Sequence, residues 1–555
     1  MRNGGFYLQA VCGLIAVRKK ARQKSIVQLF IGVSRLVDSP RASGILLHPT
    51  SLPGSFGIGD LGPEAYRFAD FLASTGQSLW QILPLGHISY GNSPYTCLSA
   101  FGGNPYLISP EDLVEEGLLD PSDIENPPPF PSHRVDYGWV ISYKTDLLHK
   151  SFQRFKDRYS TKYPSGFYAF SEGNAFWLED YALFTALKGA HNDQGWVDWE
   201  ERATQRDPKA LVEWRNKLNE EIQFSKYVQY VFFKQWHSLK SYCHQKGIRI
   251  VGDIPVYVAH DSAEVWAHRE LFYLDEQGNP LVVAGVPPDY FSATGQRWGS
   301  PIYRWEAMAQ SGYRWWIDRF RINFSLVDIV RLDHFRGFEA YWEIPTTEPT
   351  AVKGRWVKGP GIDLFKAVKA ALGNVEMIAE DLGIITPEVD ALREELGFPG
   401  MGVLQMAFGN DPKASAYRPH NHTKNCAVYT ATHDHNTTVG WFTAEPGTQT
   451  TQTREEVKKE REYALKYLGT DGQEIHWDLI RLALGSVARL AIFPLQDVLG
   501  LGTGARMNLP GTSQDNWEWR FTAEMLTPTI RDRLRELTRI YERSPNHLVE
   551  GMVIL

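Results

Sequence analysis

Eight short apolar runs, none of them alternating strictly between apolar and polar residues, limit what this chain of 555 residues can fold into. They cover residues 44–48, 79–84, 248–253, 328–333, 376–380, 402–406, 427–431 and 490–494. A strand with one wetted face alternates, whereas a strand buried on both faces, as in a parallel sheet, does not. Helical patterns lie between the runs; Phe232, Trp236, Leu239 and Cys243 recur at helical spacing just before the third. Eight strand–helix units predict an α/β fold, a (β/α)8 TIM barrel.

The connections are unequal. The stretch between the second and third runs far exceeds one helix and holds the Pro-rich residues 126–131 and an aromatic helical stretch at 167–187. We read residues 86–246 as inserted, mostly helical subdomains and residues 270–305 as an inserted active-site loop. The catalytic barrel then spans 41–520, and 521–555 form a C-terminal helix and tail packed on it. Residues 1–37 carry seven Lys/Arg and no Asp or Glu. Their apolar stretch at 6–17 is too short for a bilayer and lacks the flanks of a signal peptide. Residues 1–40 are therefore expected to be a poorly ordered basic extension.

A net charge of −7 argues against nucleic acid and anionic membrane as partners. Cys12, Cys97, Cys243 and Cys426 are scattered without a CxxC. That pattern fits thiols in a reducing cytosol, so a cytoplasmic location is expected.

In a (β/α)8 barrel the chemistry sits at the C-terminal ends of the strands, and polar residues cluster there. The first run ends in His48, the third in Asp253, the fourth in Arg331, Asp333 and His334, the fifth in Glu380 and Asp381, and His433, Asp434 and His435 follow the seventh. An ionised group directly after a buried strand is unfavourable unless it is paired or used. Carboxylates on neighbouring strands can act as nucleophile and general acid/base on a glycosidic bond. His433-Asp434-His435 invites a metal reading, but in an extended segment Asp434 would point away from both histidines. No established metal signature supports the pair, so no catalytic metal is expected. A GxSxG elbow is missing, and Gly500-Leu-Gly-Thr-Gly504 matches neither phosphate-loop pattern.

The most specific segments are Val330-Arg-Leu-Asp-His-Phe-Arg-Gly-Phe338 and Met377-Ile-Ala-Glu-Asp-Leu-Gly383. Together with Gly91-Asn-Ser-Pro-Tyr-Thr96, Gly252-Asp-Ile-Pro-Val256, Pro287-Pro-Asp-Tyr-Phe-Ser-Ala-Thr-Gly-Gln-Arg-Trp-Gly299, Thr432-His-Asp434 and Arg506-Met-Asn-Leu-Pro-Gly511, they resemble the 4-α-glucanotransferase family. These are the amylomaltases or disproportionating enzymes of the α-amylase superfamily. The resemblance runs from about Arg41 to Arg520. It implies a transferase of the hexosyltransferase type that needs no cofactor and acts on α-1,4-glucans: maltooligosaccharides, amylose and glycogen. A monomer or weak homodimer is expected.

By the same resemblance Asp333 matches the nucleophile, Glu380 the acid/base and Asp434 the third carboxylate, which holds the distorted sugar. Ser93, Tyr95, Asp253, Arg331, His334 and His433 match positions lining the donor sugar. Asp289, Phe291 and Trp298 fall on the loop over the acceptor side, and Asn508 matches a further substrate contact. The family often has Asn or a second acid after Thr-His-Asp; here His435 and Asn436 follow. The implied reaction is a retaining double displacement in which the two carboxyls stand about 5–5.5 Å apart. Two other readings share these residues: an α-amylase-type hydrolase with water as acceptor, and an inactive glucan-binding scaffold.

Overall fold

The computed structural model describes residues 40–545 apart from 90, 289–291, 412 and 446–452. Strands numbered along the chain are β1 (Ala42–Leu46), β2 (Leu79–Gln81), β3 (Arg249–Pro255), β4 (Val282–Val286), β5 (Gln296–Pro301), β6 (Ile329–Asp333), β7 (Ala340–Pro345), β8 (Arg355–Lys358), β9 (Met377–Ala379), β10 (Gly400–Val403), β11 (Cys426–Tyr429) and β12 (Leu490–Pro494). Eight of them pair in parallel in the order β10-β11-β12-β1-β2-β3-β6-β9. All eight expected runs are barrel strands, with ends shifted by a few residues. The fifth shrinks to three residues, and the third extends through Pro255.

Burial explains the missing alternation. Every residue of β10 and β12 is buried, because one face packs into the barrel and the other meets helices. Phe232, Trp236, Leu239 and Cys243 lie on the helix Asn219–Gln245 and are fully buried. The Trp236 indole also donates to Leu326 O at 2.8 Å, tying that helix to the end of the helix Arg314–Leu326. Between β2 and β3 the chain adds helices, among them Tyr137–Arg158 and Ala175–Ala190. Lys144 anchors the first of these, donating to Asp60 Oδ2 at 2.9 Å and Ile108 O at 2.8 Å, and this buried charge is thus paired and hydrogen-bonded. No helix among the described residues is long and apolar enough to cross a membrane.

One element was not legible as such. Residues 270–305 are not simply a loop: β4 and β5 lie within them and join β7 and β8 in a four-stranded antiparallel sheet, ordered β5-β4-β7-β8. Asp289, Tyr290 and Phe291, like residues 1–39, lie outside the described residues.

The barrel closes at a narrow seam. Between β9 and β10 the Ala379 N–H donates to Pro399 O at 2.9 Å. A side chain adds to this bond: Asp381 Oδ1 accepts from the Met401 N–H at 2.7 Å, while Arg393 Nε stands 3.2 Å from Asp381 Oδ2. Gly400 makes room for it, since a Cβ there would run into the Asp381 carboxyl. Asp381, as eligible as Glu380 from its sequence position, thus clasps the seam beside β9. Asp381→Ala is expected to lower stability by about 2–3 kcal/mol through the orphaned N–H and cation; a denaturant midpoint equal to the parent's would contradict this.

Candidate active site

Register brings the chemistry together. Asp253 on β3 pairs with Arg331 on β6, and Leu332 pairs with Ala379 on β9. One step beyond that pair, Asp333 and Glu380 end neighbouring strands at the same level. Arg331 and Asp333, two residues apart, project to the same face. The Arg331 Nη1 donates to Asp253 Oδ2 at 2.7 Å and to Asp333 Oδ1 at 3.0 Å. The Tyr95 hydroxyl donates to the same Asp253 oxygen at 2.9 Å.

Asp333 is the more open partner, with its side chain 26% exposed against 3% for Arg331. Burial opposes the charge on Arg331, but Asp253 and Asp333 hold its guanidinium well above its ordinary value. Burial pushes Asp253 up to about 7, with Arg331 pulling down and Asp333 pushing up.

Glu380 is held by backbone. Its Oε2 accepts from the His334 N–H at 2.8 Å and its Oε1 from the Leu382 N–H at 2.8 Å. His334 reaches this position in a left-handed conformation, φ 52°, which costs a non-glycine residue about 1–2 kcal/mol. Burial dominates the carboxyl's titration and lifts it to about 7. Arg331 and the two N–H donors oppose that rise, while the charge of Asp333 adds to it. Adjacent acids on adjacent strands thus sit in different settings.

The turn after β11 contributes the third carboxyl. His435 N–H donates to Thr432 O at 3.2 Å, so the segment bends where an extended chain was expected. The divergence expected of an extended segment is corrected for His433, whose Nε2 lies 3.3 Å from Asp434 Oδ2. Asn508 Nδ2 donates to Asp434 Oδ1 at 2.6 Å. Burial opposes the Asp434 charge, yet His433, the Asn508 bond and Arg331 outweigh it and hold the carboxyl below its ordinary value. Burial also pushes His433 down, and it pushes His48 and His334 down to about 3, so these imidazoles are neutral near pH 7.

Aromatic rings wall the site. Tyr95 stacks on His433 with centroids 5.1 Å apart, and Ser93 shapes the turn beneath it, its Oγ accepting from the Tyr95 N–H at 3.2 Å. On the other side Trp298, 38% exposed on β5, meets the His334 ring edge-on at 4.8 Å. Of the residues picked from the sequence, Asp289 and Phe291 lie outside the described residues. The other eleven divide among these contacts.

Two residues escaped the sequence reading. Trp517 lies 5.8 Å from Tyr95 and 5.9 Å from His433 by ring centroids, with its backbone at φ 67°, an outlier for a bulky residue. Asp497 takes hydrogen bonds from Thr430 Oγ1 at 2.6 Å and the Thr438 N–H at 2.7 Å, bracing the turn that carries Asp434. For Asp497 a signal existed: a lone acid just after the all-apolar run at 490–494. Trp517 had none, because its partners are distant in sequence.

Known proteins resemble this chain along most of its length. A family described as 4-alpha-glucanotransferase matches residues 47–527. The 4-alpha-glucanotransferase of Synechocystis is 50% identical over 91% of this chain and 99% of its own length. That of Thermus thermophilus is 49% identical, covering 91% of this chain and 100% of its own. Among solved structures, the amylomaltase of Streptococcus agalactiae in complex with acarbose superposes with a TM-score of 0.85 at 39% identity, over 91% of this chain and 100% of that one.

The layout fixes a sign. Asp333→Asn removes a like charge from beside Glu380 and releases Arg331 from one partner, so the Glu380 carboxyl should titrate below its parent value of about 7. Infrared difference spectra between Asp333→Asn and Asp333→Asn/Glu380→Gln read that midpoint; a midpoint unmoved or raised contradicts the arrangement.

Proposed function

The chain belongs to the 4-alpha-glucanotransferase family, and we propose that Asp333, Glu380 and Asp434 carry its transfer chemistry. The contrast between the first two carboxyls supports the assignment most directly. Asp333 accepts a charge-assisted bond from Arg331 and faces the open side of the site. Glu380 is lifted to about 7 and so holds a proton over much of the working range.

In the first half-reaction Asp333 attacks the anomeric carbon of an α-1,4-glucan. Glu380 gives its proton to the departing glycosidic oxygen, and a glucosyl ester remains on Asp333. In the second half Glu380, now a base, takes the proton of an acceptor's 4-hydroxyl. The oxygen displaces Asp333, and the α-linkage re-forms with retention. Each Glu380 oxygen accepts one backbone N–H, which leaves a second lone-pair direction for the travelling proton. Asp434, kept ionised by the Asn508 bond and Arg331, grips the sugar hydroxyls as the ring flattens. Tyr95, Asp253, Arg331 and the neutral His334 and His433 line the donor sugar, with Ser93 beneath Tyr95. Trp298 offers an apolar face to the acceptor and sheds water from the ester; Asp289 and Phe291 are assigned to the same side.

Maltooligosaccharides and amylose are the proposed substrates, with glycogen a further one. We place the catalytic unit at 41–520, with 86–246 and 270–305 inserted and 521–545 packed against it; the rest of the tail, 546–555, lies outside the described residues. Among the described residues Cys97, Cys243 and Cys426 are free thiols, which favours a cytoplasmic location; a monomer or weak homodimer is proposed with it.

Incubation with maltotriose tests the reading. Products longer than the input are expected; glucose and shortened chains alone would mean hydrolysis, and no turnover a scaffold. Glu380→Gln should slow transfer by on the order of 10²–10⁴. Asp333→Asn should cost at least as much, and full turnover in it would remove the nucleophile assignment. Because the protonated acid is the active form, the rate should fall as pH rises through about 7; a rate still climbing well above that pH contradicts the role given to Glu380.

A further inference from the structure

The second sheet presents a ring that the chemistry above leaves unused. Trp356, on β8, is 39% exposed, yet its indole is held in place. The Arg336 guanidinium lies over it at 3.6 Å from the ring centroid. Trp342, its partner on β7, meets it edge-on with centroids 5.1 Å apart. Arg336 is buried and fixed in turn, donating through Nη1 to Ile384 O and through Nε to Ala340 O at 3.4 Å. Ile384 is 47% exposed. With Arg336 over one face of the indole, the exposure belongs to the rest of the ring.

Position gives this shelf a direction. Arg336 follows closely on His334, whose backbone N–H donates to Glu380, and Ile384 rides on the loop that leaves Glu380. Tyr95, Asp253 and His433 gather on the other side of Arg331. A group that protonates the leaving glucan and deprotonates the incoming one faces the path that both follow. The surface continuous with the Glu380 loop, away from the donor pocket, is where that path continues.

We propose that Trp356 is a stacking platform for a distal sugar of an acceptor α-1,4-glucan, with Ile384 beside it and Arg336 fixing the ring. The C–H face of a glucose unit is apolar and its rim is polar, so a rigid, half-wet indole suits it. The buried cation beneath the ring removes the freedom that binding would otherwise have to freeze. This inference rests on the acid/base reading of Glu380. A glucose acceptor fills only the position next to Glu380, whereas a maltotriose acceptor extends toward the shelf.

The test supplies one donor glucan in large excess over a trace of acceptor, either glucose or maltotriose labelled at its reducing end. The cleavage half is then common to both, and the ratio of labelled products isolates the acceptor step. In Trp356→Ala the maltotriose-to-glucose ratio should fall on the order of threefold to tenfold, and in Trp356→Phe by much less. Equal losses with both acceptors would show that Trp356 merely props β8, and an unchanged ratio would place the acceptor elsewhere; either overturns the proposal. If the unmutated protein transferred to neither acceptor, the acid/base reading itself would fail instead.

Discussion

The parallel register of β3, β6 and β9 is the constraint from which the site follows. A parallel ladder fixes which residues of neighbouring strands stand level, and here it levels Asp253 with Arg331 and brings Asp333 beside Glu380. A slip of one residue would turn Arg331 and Asp333 toward the helices and bury unpaired charge there. The ion pairs and the register therefore enforce each other: the charged residues tolerate one alignment, and the flanking apolar residues Val330 and Leu332 prefer the same one. The site is in that sense a product of the sheet's hydrogen bonding.

Around this core, backbone and aromatic groups set the protonation states. Peptide N–H groups hold Glu380 at a fixed height, and burial rather than a cation decides its proton. The histidines nearby are kept neutral by burial, which leaves Arg331 as the cation that the carboxylates share. Rings from distant parts of the chain, Tyr95, His433 and Trp517, close one wall. The left-handed backbone at Trp517 is strain stored beside reacting groups, where structures tend to tolerate it.

Much of this was legible in the sequence because its signals were local. Strand runs buried on both faces betray themselves by missing alternation, and an acid just after such a run stands out. The family segments then attach roles to Asp333, Glu380 and Asp434. What escaped depends on contacts between distant residues. The antiparallel sheet was hidden because β4 and β5 sit among Pro and Gly, and because β8, Arg-Trp-Val-Lys, is mostly exposed. The approach of His433 to Asp434 was misjudged because an extended chain was assumed where Thr432 begins a turn. Asp381 could not be separated from Glu380 by position, since only the seam with β10 shows that Asp381 is engaged there.

One guanidinium shared by two carboxylates has a last consequence. Asp253, Glu380 and Asp434 all feel Arg331, so none of these three titrates as an independent acid. A proton added at one site changes the affinity at the others, and the steps seen in solution are macroscopic constants of the cluster. Replacing any one carboxyl rewrites the proton affinities of those that remain. The unit that evolution can tune here is the charge state of the whole mouth of the barrel.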